Sequence, residues 1–272
     1  MENSKIPWTH HTFSAWEGCA RVSEGCQHCY AETRDERWHE GKHWGKEAPR
    51  YLHTDSYWKQ PLRWDREAAA AGERRRVFSA SLSDVFEDRR DLDVHRDRLF
   101  DLIDQTPNLD WLLLTKRPQH IARLAARWLK EAPANVWLGT TCENQKRAEE
   151  RLPFLLDIKA VVHFVSAEPL LGPLDLRQWL GAARVNWLVV GGESGANARP
   201  CMLEWKRDLM RQCTAVCVAY FMKQMGAYPL EGLRKITVRD RKGESMDEFP
   251  TDLRVRDFPR SHKLNDLTMF EV

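Results

Sequence analysis

The sequence lacks an excess of charge of either sign. Its 272 residues carry 42 Lys and Arg against 40 Asp and Glu, for a formal net charge of +2. This balance argues against tight binding of duplex nucleic acid through a wide basic face. With 42% hydrophobic and 30% charged residues, the chain also lies outside the composition of disordered proteins. We therefore expect a folded protein with one large domain, or one domain with an appendage.

The sequence also lacks an apolar run of about 18 or more residues, the length that a membrane-spanning helix needs. Residues 1–5 lead directly into a polar, aromatic stretch and do not resemble a secretion signal. The seven cysteines are an odd number, which favours reduced thiols over a disulfide framework. We therefore expect a cytoplasmic protein without a membrane partner.

What the sequence does contain is a dense cysteine cluster. Cys19, Cys26 and Cys29 are separated by six and then by two residues. Thiolates this close in sequence usually share a metal. Three ligands are one fewer than a structural zinc site takes, whereas an iron–sulfur cluster held by three cysteines leaves one iron free for another molecule. Zinc, with His28 or Cys142 as fourth ligand, is the main alternative.

The residues around the cysteines fit a metal-binding loop. Gly18 and Gly25 directly precede the first two cysteines and would let the backbone wrap closely around the sulfurs. A helix is predicted to begin after Cys29, over residues 29–41, and its positive end would face an anionic cluster. We therefore predict Cys19, Cys26 and Cys29 as metal ligands.

A regular rhythm follows, in which short apolar runs alternate with amphipathic segments of about a dozen residues. The predicted strands are 77–81, 111–114, 136–139, 161–165, 186–190 and 218–222, with a weaker one near 8–16. The predicted helices lie at 65–71, 95–104, 119–130, before 155, and at 205–216. Near-continuous apolar strands alternating with helices indicate an α/β protein with a parallel sheet covered on both faces.

Two architectures fit this rhythm, a doubly wound sheet and a partial or full (β/α) barrel of six or seven parallel strands. We favour the TIM-barrel-like arrangement because polar residues follow every strand, and the strand ends of a barrel converge on one mouth. The barrel is predicted over residues 1–229. Residues 230–272 are predicted as a carboxy-terminal extension, with a hairpin at 236–249 that turns at 241–243.

The polar residues after the strands would share the cavity with the cysteines and suit a zwitterionic or phosphorylated ligand. Taken singly, each could instead be solvated, cap a helix or form an ion pair. A glycine-rich turn at 191–195 permits close backbone approach to a ligand, although a plain tight turn explains it equally well. The strand-end residues are Asp84, Lys116, Glu143, Glu168, Glu193 and Lys223.

Several motifs in the same order carry a resemblance to a known family. The cysteine loop at the start of a barrel resembles the radical S-adenosylmethionine enzymes. Over residues 8–226, about four fifths of the chain, the sequence is similar to a phage-associated and bacterial three-cysteine-motif family, a divergent branch of that superfamily. The matching motifs are GCARVSEGCQHCYAE (18–32), SLSDVF (81–86), LTKRP (114–118), AEPL (167–170), GGESG (191–195) and FMKQ (221–224).

This resemblance implies a four-iron, four-sulfur (4Fe-4S) cluster on the three cysteines, with its open iron chelated by S-adenosylmethionine. It also implies an electron donor such as flavodoxin or ferredoxin. The catalytic residues stay unknown, and the candidates, chosen because they follow strands, are Lys116, Glu168 and Lys223. The resemblance places His28 near the adenine, and the other candidates for cofactor binding, chosen mainly from the strand ends, are Ser81, Asp84, Glu143, Asn144, Glu168, Gly191, Gly192 and Glu193.

The sequence departs from the superfamily pattern in two places. The common cysteine spacing is three and then two, not six and then two. The usual Gly-Gly-Glu-Pro element after the second strand is absent, and Ser81, Ser83 and Asp84 stand there instead. Both departures concern the geometry with which the cluster and its ligand would be held.

Three functions are compatible with the sequence. The leading hypothesis, based on the cysteine motif and the resemblance to a phage-associated family, is a radical enzyme that modifies or repairs a nucleic-acid base or nucleoside. The aromatic segment 38–64 could stack a base. The second is a non-catalytic phage or host interaction protein stabilised by zinc or an iron–sulfur centre. The third is hydrolytic metal chemistry that uses Asp84, Glu143 and Glu168.

Overall fold

The computed structural model describes residues 1–128 and 132–259. The strands of this part are β1 (His11–Thr12), β2 (Trp16–Glu17), β3 (Tyr51–Leu52), β4 (Arg75–Ser79), β5 (Leu109–Thr115), β6 (Val136–Thr141), β7 (Val162–Ala167), β8 (Val185–Gly191), β9 (Cys201–Met202), β10 (Ala219–Gln224), β11 (Pro229–Glu231) and β12 (Arg234–Lys235). The α-helices are α1 (Tyr30–His39), α2 (Asp55–Trp58), α3 (Gln60–Ala71), α4 (Asp93–Asp104), α5 (Ile121–Leu124), α6 (Gln145–Leu156) and α7 (Leu203–Ala215).

Seven strands form one parallel sheet in the order β1-β4-β5-β6-β7-β8-β10. The strands follow one another in chain order without a reversal, which distinguishes this sheet from a doubly wound one. The sheet curves into a half-barrel, so the predicted partial barrel is confirmed. All its carboxyl ends lie at one edge.

The two faces of the sheet are both buried, which explains the near-continuous apolar strands. Alternate residues point to the concave face, where Trp187 packs against Trp8, Trp137 and Phe164 with ring centroids 5.5 to 6.0 Å apart. The residues between them point outward to the helices and form the larger hydrophobic core. Because large aromatic side chains fill the concave face near the strand starts, open space remains at the carboxyl edge.

The predicted strands after residue 76 agree with β4, β5, β6, β7, β8 and β10 to within a few residues. The helix predicted at 119–130 is instead broken into a 3-10 turn at Pro118–His120, α5, and a second 3-10 turn at Ala126–Trp128. The remainder of that prediction, residues 129 and 130, lies outside the described residues. The chain leaves the helical region at Ala125, which has φ −117° and ψ 42°.

The hairpin predicted at 236–249 was wrong. The hairpin of this region is β11–β12, which turns at residues 232–233. In the predicted segment the Asp240 carboxylate accepts hydrogen bonds from the backbone N–H groups of Lys242, Glu244 and Ser245. These amides are therefore engaged by a side chain and do not pair across two strands.

Residues 255–258 run along the outer edge of β10. The Met222 amide donates to the Val255 carbonyl at 2.8 Å, and the Asp257 amide donates to the Tyr220 carbonyl at 2.9 Å. Phe258 then packs on Trp187, with centroids 5.6 Å apart, and beneath the Arg76 guanidinium at 4.0 Å. This segment thus covers the last strand of the sheet. Residues 260–272 of the predicted extension lie outside the described residues.

No helix in the described ranges has the length and apolar character needed to span a membrane.

Candidate functional site

A cavity of about 340 Å³ lies at the carboxyl edge of the half-barrel. Its floor comes from residues at and just beyond the strand ends, among them Lys116, Thr141, Glu168 and Lys223. The loop with Cys19, Cys26 and Cys29 lines the same cavity. All three thiols are free and half-buried. The structure therefore brings the cysteines and the strand-end charges together, as the barrel prediction required.

The start of the cysteine loop depends on Gly18. This glycine has φ +106°, and a Cβ atom there would lie 2.3 Å from the His43 carbonyl oxygen. The backbone can therefore pass this point only without a side chain. The backbone of Cys19, the next residue, is held by a hydrogen bond that its carbonyl oxygen accepts from the Gly45 amide at 2.9 Å.

The end of the loop is the amino terminus of α1. Cys29 occupies the N-cap position with extended backbone, φ −69° and ψ 121°, and its carbonyl accepts the Thr33 amide at 3.0 Å. The helix predicted to begin after Cys29 is thus confirmed. The positive end of the helix dipole consequently lies beside this sulfur and favours negative charge there.

The middle of the loop is attached to the amino terminus of α6. The Glu24 carboxylate accepts hydrogen bonds from the Arg147 guanidinium at 2.7 and 3.1 Å and from the side-chain amide of Asn144. Asn144 also caps α6, because its side-chain oxygen accepts the Arg147 amide at 3.1 Å. A Cβ on Gly25 would lie 3.0 Å from the Glu143 carboxylate, so this glycine allows the loop to rest directly on that buried group.

A buried ion pair supports Cys19 from below. Arg117 donates to Asp84 Oδ2 at 2.9 Å, to the Ala20 carbonyl at 2.8 Å and to Cys19 Sγ at 3.5 Å. Asp84 also accepts Thr115 Oγ1 at 2.7 Å and the Lys116 amide at 3.1 Å. Burial alone would raise the pKa of Asp84, but Arg117 and these hydrogen bonds hold it below its ordinary value. Asp84 is therefore charged at neutral pH.

For two of the thiols the effect of burial prevails and the pKa is raised. Burial raises the pKa of Cys19 to about 12, although Arg117 acts in the other direction, and it also raises the pKa of Cys29. These thiols are accordingly protonated at neutral pH in the metal-free protein. Binding of a metal or cluster would release their protons.

One wall of the cavity is formed around Glu193. Arg199 donates to this carboxylate from its side chain at 2.5 and 2.9 Å and from its backbone amide at 2.9 Å. The carboxylate also lies 3.1 Å from His28 Nδ1. Burial would raise the pKa of Glu193, and the hydrogen bonds from Arg199 and His28 outweigh that effect and lower it. Arg199 in addition donates to the Glu24 carbonyl at 3.1 Å, which links this wall to the cysteine loop.

The floor of the cavity carries a second ion pair and a lysine. Lys223 donates to the Glu168 carboxylate, and both side chains are largely buried. Lys116 Nζ lies 3.3 Å from Thr141 Oγ1. Ser83 Oγ lines the cavity and is buried without a hydrogen-bond partner in the described part of the chain. The cavity thus offers positive and negative groups together with a free hydroxyl.

Most of the residues predicted for the site line this cavity. These are Cys19, Cys26, His28, Cys29, Ser81, Asp84, Lys116, Glu168, Gly192, Glu193 and Lys223. Three do not: Glu143 is fully buried and paired with Arg151 at 2.6 Å, Asn144 caps α6, and Gly191 ends β8. Cys142, the alternative fourth zinc ligand, is fully buried in the hydrophobic core and is also absent from the lining.

Two arginines of the site, Arg117 and Arg199, were not predicted from the sequence. Arg117 lies within the matching motif LTKRP, and only 6% of it is exposed. The available signal was its position after a strand, beside the predicted site residue Lys116. Arg199 follows the glycine-rich turn and had no such signal. Lys242 and Glu244, which line the cavity from the carboxy-terminal part of the chain, were not predicted either.

The donor set of the loop fits an iron–sulfur cluster. The three thiols belong to one loop, are free of disulfides and line one cavity, and Arg117 is already placed to donate to one sulfur. Among the described residues, no group of three or more His, Cys, Asp or Glu side chains is arranged to hold a metal ion.

Together the fold and the cavity define an α/β half-barrel protein with a three-cysteine loop over the carboxyl edge of its sheet. The chain belongs to the family described as "Protein of unknown function (DUF5131)", which matches residues 3–252. Comparison with curated proteins gave no match.

Two similar solved structures are variants of spore photoproduct lyase. One, with bound AdoMet and dinucleoside spore photoproduct, is 14% identical with a TM-score of 0.48. The other is 16% identical with a TM-score of 0.46. Each similarity covers 88% of this chain and 71% of the other.

Proposed function

We propose that this protein is an iron–sulfur, S-adenosylmethionine-type radical enzyme. The observation that carries the proposal is the placement of three free thiols from one loop in the same cavity as the charged strand ends. Cys19, Cys26 and Cys29 would hold a 4Fe-4S cluster and leave one iron open to S-adenosylmethionine. When reduced, such a cluster supplies the electron that cleaves this cofactor into methionine and a 5′-deoxyadenosyl radical.

The protein's own contribution would be to fix the loop and exclude water. Three contacts hold the loop in place: Arg117 at Cys19, Asn144 and Arg147 at Glu24, and Arg199 at the Glu24 carbonyl. The concave face beneath the cavity is filled by large apolar side chains such as Phe78 and Trp8. A reactive radical would therefore meet few competing solvent molecules.

The charges in the cavity suit a zwitterionic cofactor. Lys116 would face a carboxylate, while Glu168 and Glu193 would face an amino or ribose hydroxyl group. His28, beside Glu193, would pack near the adenine. Lys116, Glu168 and Lys223 remain our proposed catalytic residues because they lie on the cavity floor.

We further propose a nucleic-acid base or nucleoside as the substrate. Trp38 on α1 is 67% exposed and lies beside the Arg37 guanidinium, at 5.3 Å from its ring centroid, and Trp44 lines the cavity. Exposed indole and guanidinium planes are surfaces on which bases stack. An electron donor such as flavodoxin or ferredoxin would complete the system.

Anaerobic reconstitution with iron and sulfide tests the proposal. The reduced protein is incubated with S-adenosylmethionine, and 5′-deoxyadenosine is measured by chromatography. We expect a brown protein that forms 5′-deoxyadenosine, and a Cys26→Ala variant that forms neither cluster nor product. Cys217→Ala is the matched control, because Cys217 is exposed and absent from the cavity lining.

A colourless protein that carries zinc would contradict the proposal and favour a metal-stabilised interaction protein. The same conclusion would follow from a cluster that never cleaves the cofactor. A hydrolytic activity that survives replacement of all three cysteines would instead favour metal chemistry at the carboxylates.

A further inference from the structure

A second pair of reactive side chains lies outside the cavity, between β9 and α7. Lys206 Nζ lies 2.6 Å from Cys201 Sγ. Lys206 is fully buried, and Cys201 is 1% exposed. Neither residue lines the cavity, and neither has a role in the proposed function.

The surroundings of Lys206 are unusual for a buried lysine. Such residues are almost always paired with a carboxylate, because an isolated buried charge is costly. Within residues 1–128 and 132–259, Lys206 forms no ion pair, and the Cys201 sulfur is its side chain's hydrogen-bond partner. Its backbone carbonyl accepts the buried Tyr220 hydroxyl at 3.2 Å, which fixes this turn of α7. The amine is therefore held against the sulfur.

We propose that Cys201 and Lys206 form a covalent, reversible redox cross-link, in which one oxygen atom bridges Sγ and Nζ. A separation of 2.6 Å is short for a hydrogen bond to sulfur and too long for a direct N–S bond. It corresponds to the span of two single bonds that meet at one oxygen. Oxygen species oxidise cysteine sulfur stepwise, first to the sulfenic acid level.

The reaction is balanced with molecular oxygen as the oxidant. One oxygen atom becomes the bridge, and the other leaves as water with the thiol hydrogen and one amine hydrogen. Sulfur and nitrogen each give up two electrons, and O₂ takes up all four. Two dithiothreitol molecules return the four electrons and regenerate the thiol, the amine and water.

The cross-link would stiffen a segment that ends at the cavity wall. Cys201 pairs with β11 and lies two residues after Arg199, which holds Glu193 and the cysteine loop. Bridging Cys201 to α7 would fix this strand relative to the helix. The proposal does not depend on the cluster, because it concerns residues outside the cavity.

Digestion with a protease that cleaves after glutamate provides the test. Glu204 lies between the two residues, so cleavage there separates Cys201 from Lys206 unless they are linked. In protein exposed to air, we expect a joined species whose mass equals the two peptides plus one oxygen minus two hydrogens. Anaerobic preparation or dithiothreitol should give the two separate peptides. A disulfide from Cys201 to Cys213 or Cys217 combined with one methionine sulfoxide would have the same mass. Fragmentation of the joined species must therefore place the link on Lys206, and a link placed on Cys213 or Cys217 overturns the proposal.

Variants make the assignment specific. Lys206→Met keeps a long buried side chain but removes the amine, and Cys201→Ala removes the sulfur, so neither should give the joined species. Cys213, which is fully buried on the same helix without an amine against its sulfur in the described structure, should stay unlinked in the wild type. If either variant fails to fold, the comparison of aerobic and anaerobic wild type still decides.

The proposal is overturned if aerobic wild-type protein yields only separate peptides, whether Cys201 is unmodified or oxidised to an acid. It is also overturned if the joined species persists in Lys206→Met or resists dithiothreitol.

Discussion

At the scale of single residues, charge pairing explains how the cysteine loop is held. Arg117 connects Asp84, which belongs to the floor, with Cys19 and Ala20 of the loop. The sequence could place Asp84 and Lys116 at strand ends, because polar residues directly follow apolar runs. It could not show that Arg117 turns inward, since its partners lie 33 and 98 positions away.

The Asp84–Arg117 pair is tested by a double-mutant cycle. Arg117→Met should destabilise the protein by about 3 to 5 kcal/mol, because it leaves Asp84 charged and buried without its partner. Combining it with Asp84→Asn should cost less than the two single changes together. Urea unfolding of the four proteins measures the coupling. Additive effects would mean that the pair is not coupled.

A second prediction concerns His11, which stacks on Trp64 with centroids 4.3 Å apart and is 2% exposed. Burial lowers the pKa of His11 to about 4 from its ordinary 6.5. Between these values the unfolded state binds a proton that the folded state does not, so stability falls as pH drops from 6.5 to 4.

The His11 contribution should be on the order of 2 to 3 kcal/mol across this range. His11→Phe keeps an aromatic ring on Trp64 but cannot titrate. Urea unfolding at several pH values should therefore show that the free energy of unfolding falls more steeply with decreasing pH for the wild type than for the variant. Parallel curves would contradict the assigned shift.

At the scale of elements, the sequence predicted what local patterns determine. Six apolar runs became strands of the sheet, and the helix after Cys29 formed where expected. The hairpin prediction failed because Gly243 makes a tertiary contact and does not form a hairpin turn. It packs against Gly226, where a Cβ would lie 2.4 Å from the Gly226 oxygen, and its carbonyl accepts the Met225 amide. Such contacts between distant segments leave no local pattern.

The junction between α6 and the cysteine loop yields an element-level prediction. Asn144→Ala should cost about 1 kcal/mol for the lost helix cap. Asn144→Ser retains a capping oxygen but, like alanine, lacks the amide that donates to Glu24. We expect both variants to bind less iron on reconstitution and only the alanine variant to lose stability. Equal iron content in all three proteins would show that this anchor is dispensable.

At the scale of the whole molecule, the half-barrel is completed by parts distant in sequence. The barrel class followed from alternating strands and helices, but whether the sheet closes depends on pairing between its first and last strands. In the described structure, β1 and β10 form the two ends of the sheet. Residues 255–258 cover β10, and no periodic pattern in the sequence predicts this contact.

Replacing Phe258 tests how much residues 255–258 contribute to the stability of the protein. Phe258→Ala should destabilise the protein by about 2 kcal/mol, below the 3 to 5 of a fully buried phenylalanine, because 36% of it is exposed. Hydrogen exchange should rise at the Met222 amide, which donates to Val255. Phe154→Ala, at a site 49% exposed on α6, is the control and should leave that amide protected.

The covering segment also sets an order of events during synthesis. Lys242 and Glu244 of the cavity lining, and the edge strand's partner at 255–257, are synthesised more than two hundred residues after the cysteine loop. A nascent chain in which the cysteine loop has been synthesised therefore still lacks part of the cavity lining. Loading of the proposed cluster is consequently expected to be a post-translational step, carried out on a chain that has already closed around its site.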